Sequence, residues 1–234
     1  MTRLMSTVRW DVTLQFRYGF YYVSGFIVLV WAVLLSQIPV DSRFDLILPA
    51  FLAMNLLITT FYFMGALVLL EKGEGTLSGL VVSPLREGEY LLSKVASLSA
   101  LAIMESLAVI LFVYGVDFNW LFVIIGMTAL AGFYVLVGFI AIARYDTLND
   151  YLMPSMLFVT VLMLPMLDHF GMVSSPIFYL HPVNPMLALI RAGFVESSTW
   201  EIAYGVIGSM LCISVSFVIA RRVFYRFIVR SAGT

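Results

Sequence analysis

The chain contains few charged residues, and this scarcity excludes a typical soluble domain. Asp, Glu, Lys and Arg make up 12% of the 234 residues, whereas a soluble domain carries about 25%. Hydrophobic residues make up 62%, and the mean hydropathy is +1.02. The net charge of −1 gives no reason to expect a nucleic-acid partner. The composition therefore predicts an integral membrane protein that contacts lipid.

Groups that bind metals or phosphate are also scarce. The single cysteine, Cys212, lies in an apolar run, which excludes an internal disulfide and a cysteine-based metal cluster. His169 and His181 are too widely spaced to form a recognisable metal site. The phosphate-binding pattern G-x-x-x-x-G-K-[ST] does not occur in the sequence. We therefore expect no metal, no cofactor, no ATPase site and no enzymatic activity in this chain.

Stretches without charged residues define the candidate membrane spans, because a charge at bilayer depth costs roughly 2.5 kcal/mol or more. Six candidate stretches emerge; the third is interrupted by Glu105, and the fifth is the shortest. They run over Tyr18 to Val40, Leu46 to Leu70, about Leu92 to Gly115, Phe118 to Ala143, Tyr151 to Leu167, and Ile202 to Ala220. The sequence thus predicts an all-α membrane protein with six transmembrane helices.

Lysine and arginine set the orientation, because they accumulate on the cytoplasmic side of a membrane. If both termini are cytoplasmic, only Arg43 and Arg191 of the 13 basic residues lie outside. An even number of spans is needed to keep the Arg221 to Arg230 cluster on the same side as Arg3. We expect a multi-pass protein of the inner (plasma) membrane of a prokaryote.

Two segments outside the spans have patterns of their own. In residues 1–17, apolar residues recur every four positions, which predicts an amphipathic interfacial helix on the cytoplasmic surface or a simple anchor for span one. Residues 169–201 on the outer face contain Pro176, Pro182 and Pro185, which are too closely spaced for one spanning helix. This outer-face segment is expected to be re-entrant or to form short helices before span six.

The loop at 71–91, between spans two and three, contains a short helical pattern. One face is apolar, glutamates precede the helix where its dipole favours acidic groups, and a proline ends it. The apolar residues are Leu77, Leu80, Val81 and Leu85; the glutamates are Glu71 and Glu74; the proline is Pro84. The pattern predicts an amphipathic two-turn helix that either contacts another protein or rests on lipid.

The same loop resembles a known family. The run E-G-T-L-S-G-L-V-V-S-P-L from Glu74, followed by E-Y-L-L-S-K from Glu89, is similar to the segment between spans two and three of type 2 ABC export permeases. The run N-P-M-L-A-L-I-R, from Asn184 to Arg191, supports this resemblance. The opening R-W-D-V-T-L-Q-F-R-Y-G-F-Y, from Arg9 to Tyr21, further resembles the permeases of the fluoroquinolone-exporter group.

The resemblance implies a single permease domain over residues 1–234, in which the loop helix is a coupling helix seated in a separate ABC ATPase subunit. That subunit would hold ATP and Mg, and a second permease chain, identical or paralogous, would complete a dimeric efflux pathway for an amphipathic small molecule or drug. The implied ATPase-coupling residues are Glu71, Glu74, Gly75, Thr76, Leu77, Leu80, Ser83 and Pro84.

Glu105 is the one ionisable residue inside a predicted span. Such a residue marks a transport pathway or forms a structural hydrogen bond to a neighbouring helix, and the sequence leaves both alternatives open. It also supplies the titrating group for an alternative function, an ion-coupled secondary carrier or channel. An intramembrane serine protease is disfavoured, because Ser78 and Gly79 lie in a charged loop and both histidines fall outside the spans.

Overall fold

The computed structural model describes residues 3–38, 44–77 and 86–229, and every regular element in these ranges is helical. We number the α-helices in chain order. They are α1 (Arg3–Arg17), α2 (Phe20–Ser36), α3 (Phe44–Leu56), α4 (Phe63–Gly73), α5 (Glu87–Val113), α6 (Trp120–Ile142), α7 (Leu148–Met163), α8 (Pro165–His169), α9 (Asn184–Arg191) and α10 (Thr199–Phe224). A π-helical turn (Leu57–Tyr62) joins α3 to α4, a 3₁₀ helix (Pro176–Leu180) precedes α9, and a π-helical turn (Tyr225–Val229) follows α10.

Within the described ranges, five helices are long and apolar enough to cross a membrane, and the bent pair α1–α2 makes up to six. The five are Leu46–Gly73, Glu87–Val113, Trp120–Ile142, Leu148–His169 and Thr199–Phe227. The prediction of an all-helical membrane protein is confirmed for these residues. The fifth span, which the sequence made shortest, has 22 residues because α8 continues α7.

Helices α1 and α2 are bent by 67° relative to each other. Gly19 lies between them with φ 80°, a left-handed conformation that glycine adopts without a Cβ clash. The bend sends α1 and α2 in different directions, and both helices pack against α5.

The face of α1 that packs on the protein differs from the expected apolar one. Asp11 and Gln15 are buried, whereas Trp10 and Phe16 are exposed. The Gln15 amide donates a hydrogen bond of 3.0 Å to the Ser97 hydroxyl on α5. These polar residues of α1 face inward because polar side chains of α5 bond to them.

Helix α6 is at the centre of the fold, and small residues bring its neighbours close to it. A Cβ at Gly126 would lie 2.8 Å from the Ile190 backbone nitrogen of α9. A Cβ at Gly138 would lie 2.9 Å from the Phe61 carbonyl oxygen in the π-helical turn. Such close backbone approach is how glycine serves packing between membrane helices.

The outer-face segment forms short helices, as one of its two alternatives predicted. The 3₁₀ helix and α9 both begin near a proline, which the first turn of a helix tolerates. Helix α9 packs against α6 and α10, and Gly205 of α10 lies directly against Leu189. The His169 and His181 rings bond to backbone carbonyls of Leu46 and Val161, at 2.7 and 3.0 Å.

The peripheral helices carry large exposed apolar side chains. Helices α2, α7 and α10 contribute about half of them. Of the five candidate spans, Leu148–His169 and Thr199–Phe227 have the smallest buried shares. The most exposed on these helices include Tyr22, Phe26, Leu29, Met153, Leu157, Ile207 and Met210. Such faces are stable only against lipid or another apolar surface.

Candidate functional site

The candidate site lies where α4 ends and α5 begins. Of the predicted coupling residues, Glu71, Glu74, Gly75, Thr76 and Leu77 are within the described ranges. Leu80, Ser83 and Pro84, and with them most of the predicted two-turn helix, lie outside the described residues. Helix α5 begins at Glu87 rather than Leu92, so residues 87–91 of the predicted loop are helical.

The early start of α5 has a local cause. The Glu89 carboxylate accepts a hydrogen bond of 2.9 Å from the Arg86 backbone N–H, which satisfies a donor just before the first helical turn. Arg221 of α10 lies 3.4 Å from the Glu87 carboxylate. The charged first turn is therefore stabilised by its own cap and by α10.

Glu71 is buried in an ionic cluster rather than exposed to a partner. The Lys94 ammonium on α5 bonds to the Glu71 carboxylate and lies 2.6 Å from Asp11 Oδ1 on α1. The Tyr90 hydroxyl donates to Glu71 Oε2 at 2.6 Å. We call Asp11, Glu71, Tyr90 and Lys94 the Lys94 cluster; it joins α1, α4 and α5.

Lys72 ties the same helix end to α6. Its ammonium donates to the carbonyl oxygens of Ala143 and Tyr145, at 2.9 and 2.7 Å, and lies 3.0 Å from Asp146 Oδ1. Carbonyl groups at a helix C-terminus lack partners within the helix and carry partial negative charge. Lys72 thus caps the end of α6.

The next residues turn the chain out of α4. The Glu74 carboxylate bonds to the Tyr18 hydroxyl and lies 3.8 Å from the Arg17 guanidinium, at the junction of α1 and α2. Gly75 has φ 70°, and the Thr76 hydroxyl donates to the Glu71 carbonyl at 2.9 Å. Leu77 is buried in the hydrophobic core.

Asp11 is the functional candidate that sequence reasoning missed. It stands between the apolar positions that recur every four residues in residues 1–17, yet its side chain is 1% exposed. Tyr90 and Lys94 are one turn apart on α5 and belong to the E-Y-L-L-S-K run. The available signals were an acidic residue between the basic residues of α1 and a lysine at the cytoplasmic edge of the third predicted span.

A cavity of about 470 Å³ lies beside the Lys94 cluster. Its lining includes the whole cluster and residues from α1 and the end of α4. The additional lining residues are Thr7, Trp10, Glu74, Gly75 and Thr76.

Glu105 lies apart from this site, between candidate spans. Its carboxylate accepts from the Thr59 hydroxyl, at 3.1 Å to the nearer oxygen, and its residue is 4% exposed. Asn55 donates to the neighbouring Ser106 hydroxyl at 3.0 Å. Thr59 belongs to the π-helical turn, a distortion that is frequent at functional sites.

Known proteins match this chain over almost its whole length. The model of the fluoroquinolones export permease protein family matches residues 2–232. Two fluoroquinolones export permease proteins of Mycobacterium tuberculosis, from strains CDC 1551 / Oshkosh and ATCC 25618 / H37Rv, are each 29% identical over 236 residues, covering 100% of this chain and 99% of theirs. The resemblance stated from the sequence is confirmed, and this chain belongs to the fluoroquinolones export permease protein family.

Proposed function

We propose that this chain is the membrane-spanning subunit of an ATP-driven exporter of amphipathic small molecules such as fluoroquinolones. A separate ABC ATPase would supply the energy, and a second permease chain would complete the pathway. Both termini and the loop after α4 would face the cytoplasm, as the distribution of basic residues predicts. The family supports export, and the geometry at the end of α4 supports coupling.

The observation that carries the coupling proposal is the set of bonds made by three residues at this helix end. Glu71 bonds to α5 and is linked through Lys94 to α1. Lys72 bonds to the end of α6. Glu74 bonds to Tyr18 before α2. A displacement of the loop would therefore move several candidate spans together.

Coupling needs two permease states that the ATPase distinguishes. Closure of the ATPase subunits can shift the permease only if its two states bind the closed and open forms with different affinity. In this scheme the loop from Glu74 onward would contact the ATPase, while Glu71 and Leu77, which are both buried, would hold the loop to the bundle from inside. The coupling set of Glu74, Gly75, Thr76, Leu77, Leu80, Ser83 and Pro84 remains a proposal.

The exposed apolar faces of α2, α7 and α10 support a pathway shared between two chains. Each of these helices carries several large exposed apolar side chains, and such faces require lipid or a second apolar surface. We propose that part of this surface contacts the second permease, whether identical or paralogous, and that the rest contacts lipid.

The test is drug accumulation in cells that lack their own efflux pumps and express the permease with its ATPase. We expect Leu80→Asp, on the proposed contact face, to raise accumulation to the level of cells without the permease. Val82→Asp is the matched control, because it adds the same charge on another side of the predicted helix. Membrane insertion of both variants is checked by detergent extraction and size-exclusion chromatography.

Two outcomes would contradict the proposal. Equal drug accumulation with the Leu80→Asp and Val82→Asp variants would show that the predicted apolar face does not contact the ATPase. Export that persists without the ATPase but stops when the proton gradient is collapsed would instead favour the ion-coupled carrier or channel that uses Glu105.

A further inference from the structure

The cavity beside the Lys94 cluster has a buried floor and an exposed mouth. Asp11, Glu71, Tyr90 and Lys94 are each 5% exposed or less. At the mouth, Trp10 is 55% exposed, and residues 74–76 are also exposed. A volume of about 470 Å³ falls within the range of small-molecule sites.

The floor has an excess of negative charge. Two carboxylates share one ammonium, so ionised Asp11, Glu71 and Lys94 sum to −1. The fourth polar group, the Tyr90 hydroxyl, already donates to Glu71. A buried site with this balance favours a cation over an anion.

One acceptor on this floor has no partner among the described residues. Asp11 Oδ1 bonds to Lys94, whereas the buried Oδ2 of the same carboxylate has no hydrogen-bond partner there. A buried acceptor left without a donor is unfavourable, and a donor that carries positive charge would satisfy it most strongly. The position therefore calls for an N–H group from outside the cluster.

The mouth provides apolar surface for the rest of such a molecule. The indole of Trp10 is a cavity wall and is more than half exposed. Aromatic faces attract organic cations as well as apolar groups. Charge at the floor and an aromatic wall at the mouth together fit an amphipathic amine.

We propose that this cavity binds an amphipathic organic cation, whose protonated amine donates to Asp11 and whose apolar body packs against Trp10. In the proposed export function, this cavity would be the cytoplasmic recognition site for the exported molecule. Only this role of the site rests on the proposed function. Binding itself requires neither the ATPase nor transport. A failure of coupling and a failure of binding are therefore separable.

The test is equilibrium binding of dansylcadaverine, a fluorescent primary amine, to the purified permease in phosphatidylglycerol nanodiscs. Its N-acetylated form has the same dansyl group but no positive charge. We expect the amine to bind about tenfold or more tightly than the acetylated form. The headgroup of phosphatidylethanolamine also carries an ammonium group. Adding this lipid to the nanodiscs therefore tests whether the site binds a lipid, which would then compete with the probe.

Two threonines of α1 provide a matched pair of variants. The hydroxyls of Thr7 and Thr13 each donate to the carbonyl four residues earlier, at 3.0 and 2.9 Å, but only Thr7 lines the cavity. We expect Thr7→Phe to fill the cavity and weaken amine binding about tenfold or more, while Thr13→Phe leaves it unchanged. Asp11→Asn should remove the preference for the amine over its acetylated form.

Each result decides the proposal. Equal affinity for the two probes, or equal affinity of the Thr7→Phe and Thr13→Phe variants, would overturn it. An unchanged preference in a folded Asp11→Asn variant would show that the amine does not bond to Asp11, and would overturn it as well. If Asp11→Asn does not fold, the threonine pair still gives the answer.

Discussion

The two ends of α6 are held by different interactions. Near its C-terminal end, Lys72 and the Lys94 cluster join helices through buried or partly buried charges. Near its N-terminal end, Gly126 lies against the backbone of α9, and the Asn119 N–H donates to the Gly193 carbonyl at 2.8 Å. We call these regions the charged end and the glycine-packed end.

This difference bears on which end can move. The packing energy between two closely approaching backbones falls steeply when they separate. The glycine-packed end is therefore expected to move as one rigid body. Buried charges cost desolvation energy that their mutual attraction only partly returns, so an alternative arrangement of the same charges can lie close in free energy. Gly138 also lies against the Phe61 backbone near the charged end, so switching there would rearrange the buried charges and the loop proposed to contact the ATPase rather than separate α6 from the π-helical turn.

The largest effect is expected from Lys94→Met, which leaves two buried carboxylates without their ammonium. We expect a loss of about 3–5 kcal/mol in the free energy of unfolding, because unpaired buried charges are strongly destabilising. Circular dichroism during SDS titration in mixed micelles measures it. Combining Lys94→Met with Asp11→Asn and Glu71→Gln should restore most of the loss. A single variant as stable as the unmodified protein would refute the charged end as described.

The glycine-packed end is tested by Gly126→Ala. The new Cβ would lie 2.8 Å from the Ile190 backbone nitrogen, which forces α6 and α9 apart. We expect a loss of about 1–3 kcal/mol, typical of overpacking, in the same SDS titration. Gly25→Ala on α2 is the matched control, since its Cβ would meet no atom within 4 Å. If both substitutions had the same effect, close approach at this end would not contribute to stability.

The smallest effect is expected from Glu105→Gln, between the two ends. A glutamine oxygen can still accept the hydrogen bond from Thr59, so the free energy of unfolding should change by less than about 1 kcal/mol. We expect drug accumulation to have the same pH dependence in both proteins, measured below and above neutral pH. A shifted pH profile with unchanged stability would instead assign Glu105 to the transport pathway.

Comparison of the predicted and observed helices shows which features local sequence could define. Long apolar runs identified the spans, because hydrophobic length is a property of consecutive residues. The helix that contains the third predicted span begins at Glu87, five residues before the predicted span start at about Leu92, because the charged turn at Glu87 is stabilised by its cap and by Arg221 of α10. Charge marks the edge of an apolar run but not the end of a helix.

The sequence by itself determined that the chain is an all-helical membrane protein with about six candidate spans, and its motifs identified the family. Hydropathy and short motifs are local, so no coordinates were needed. Only the tertiary structure decided that Glu71 faces inward, that Asp11 on a distant helix shares Lys94 with it, and that a cavity lies beside them. The sequence separation of 83 positions between Asp11 and Lys94 explains this limit, because such a pairing depends on how α1 packs against α5.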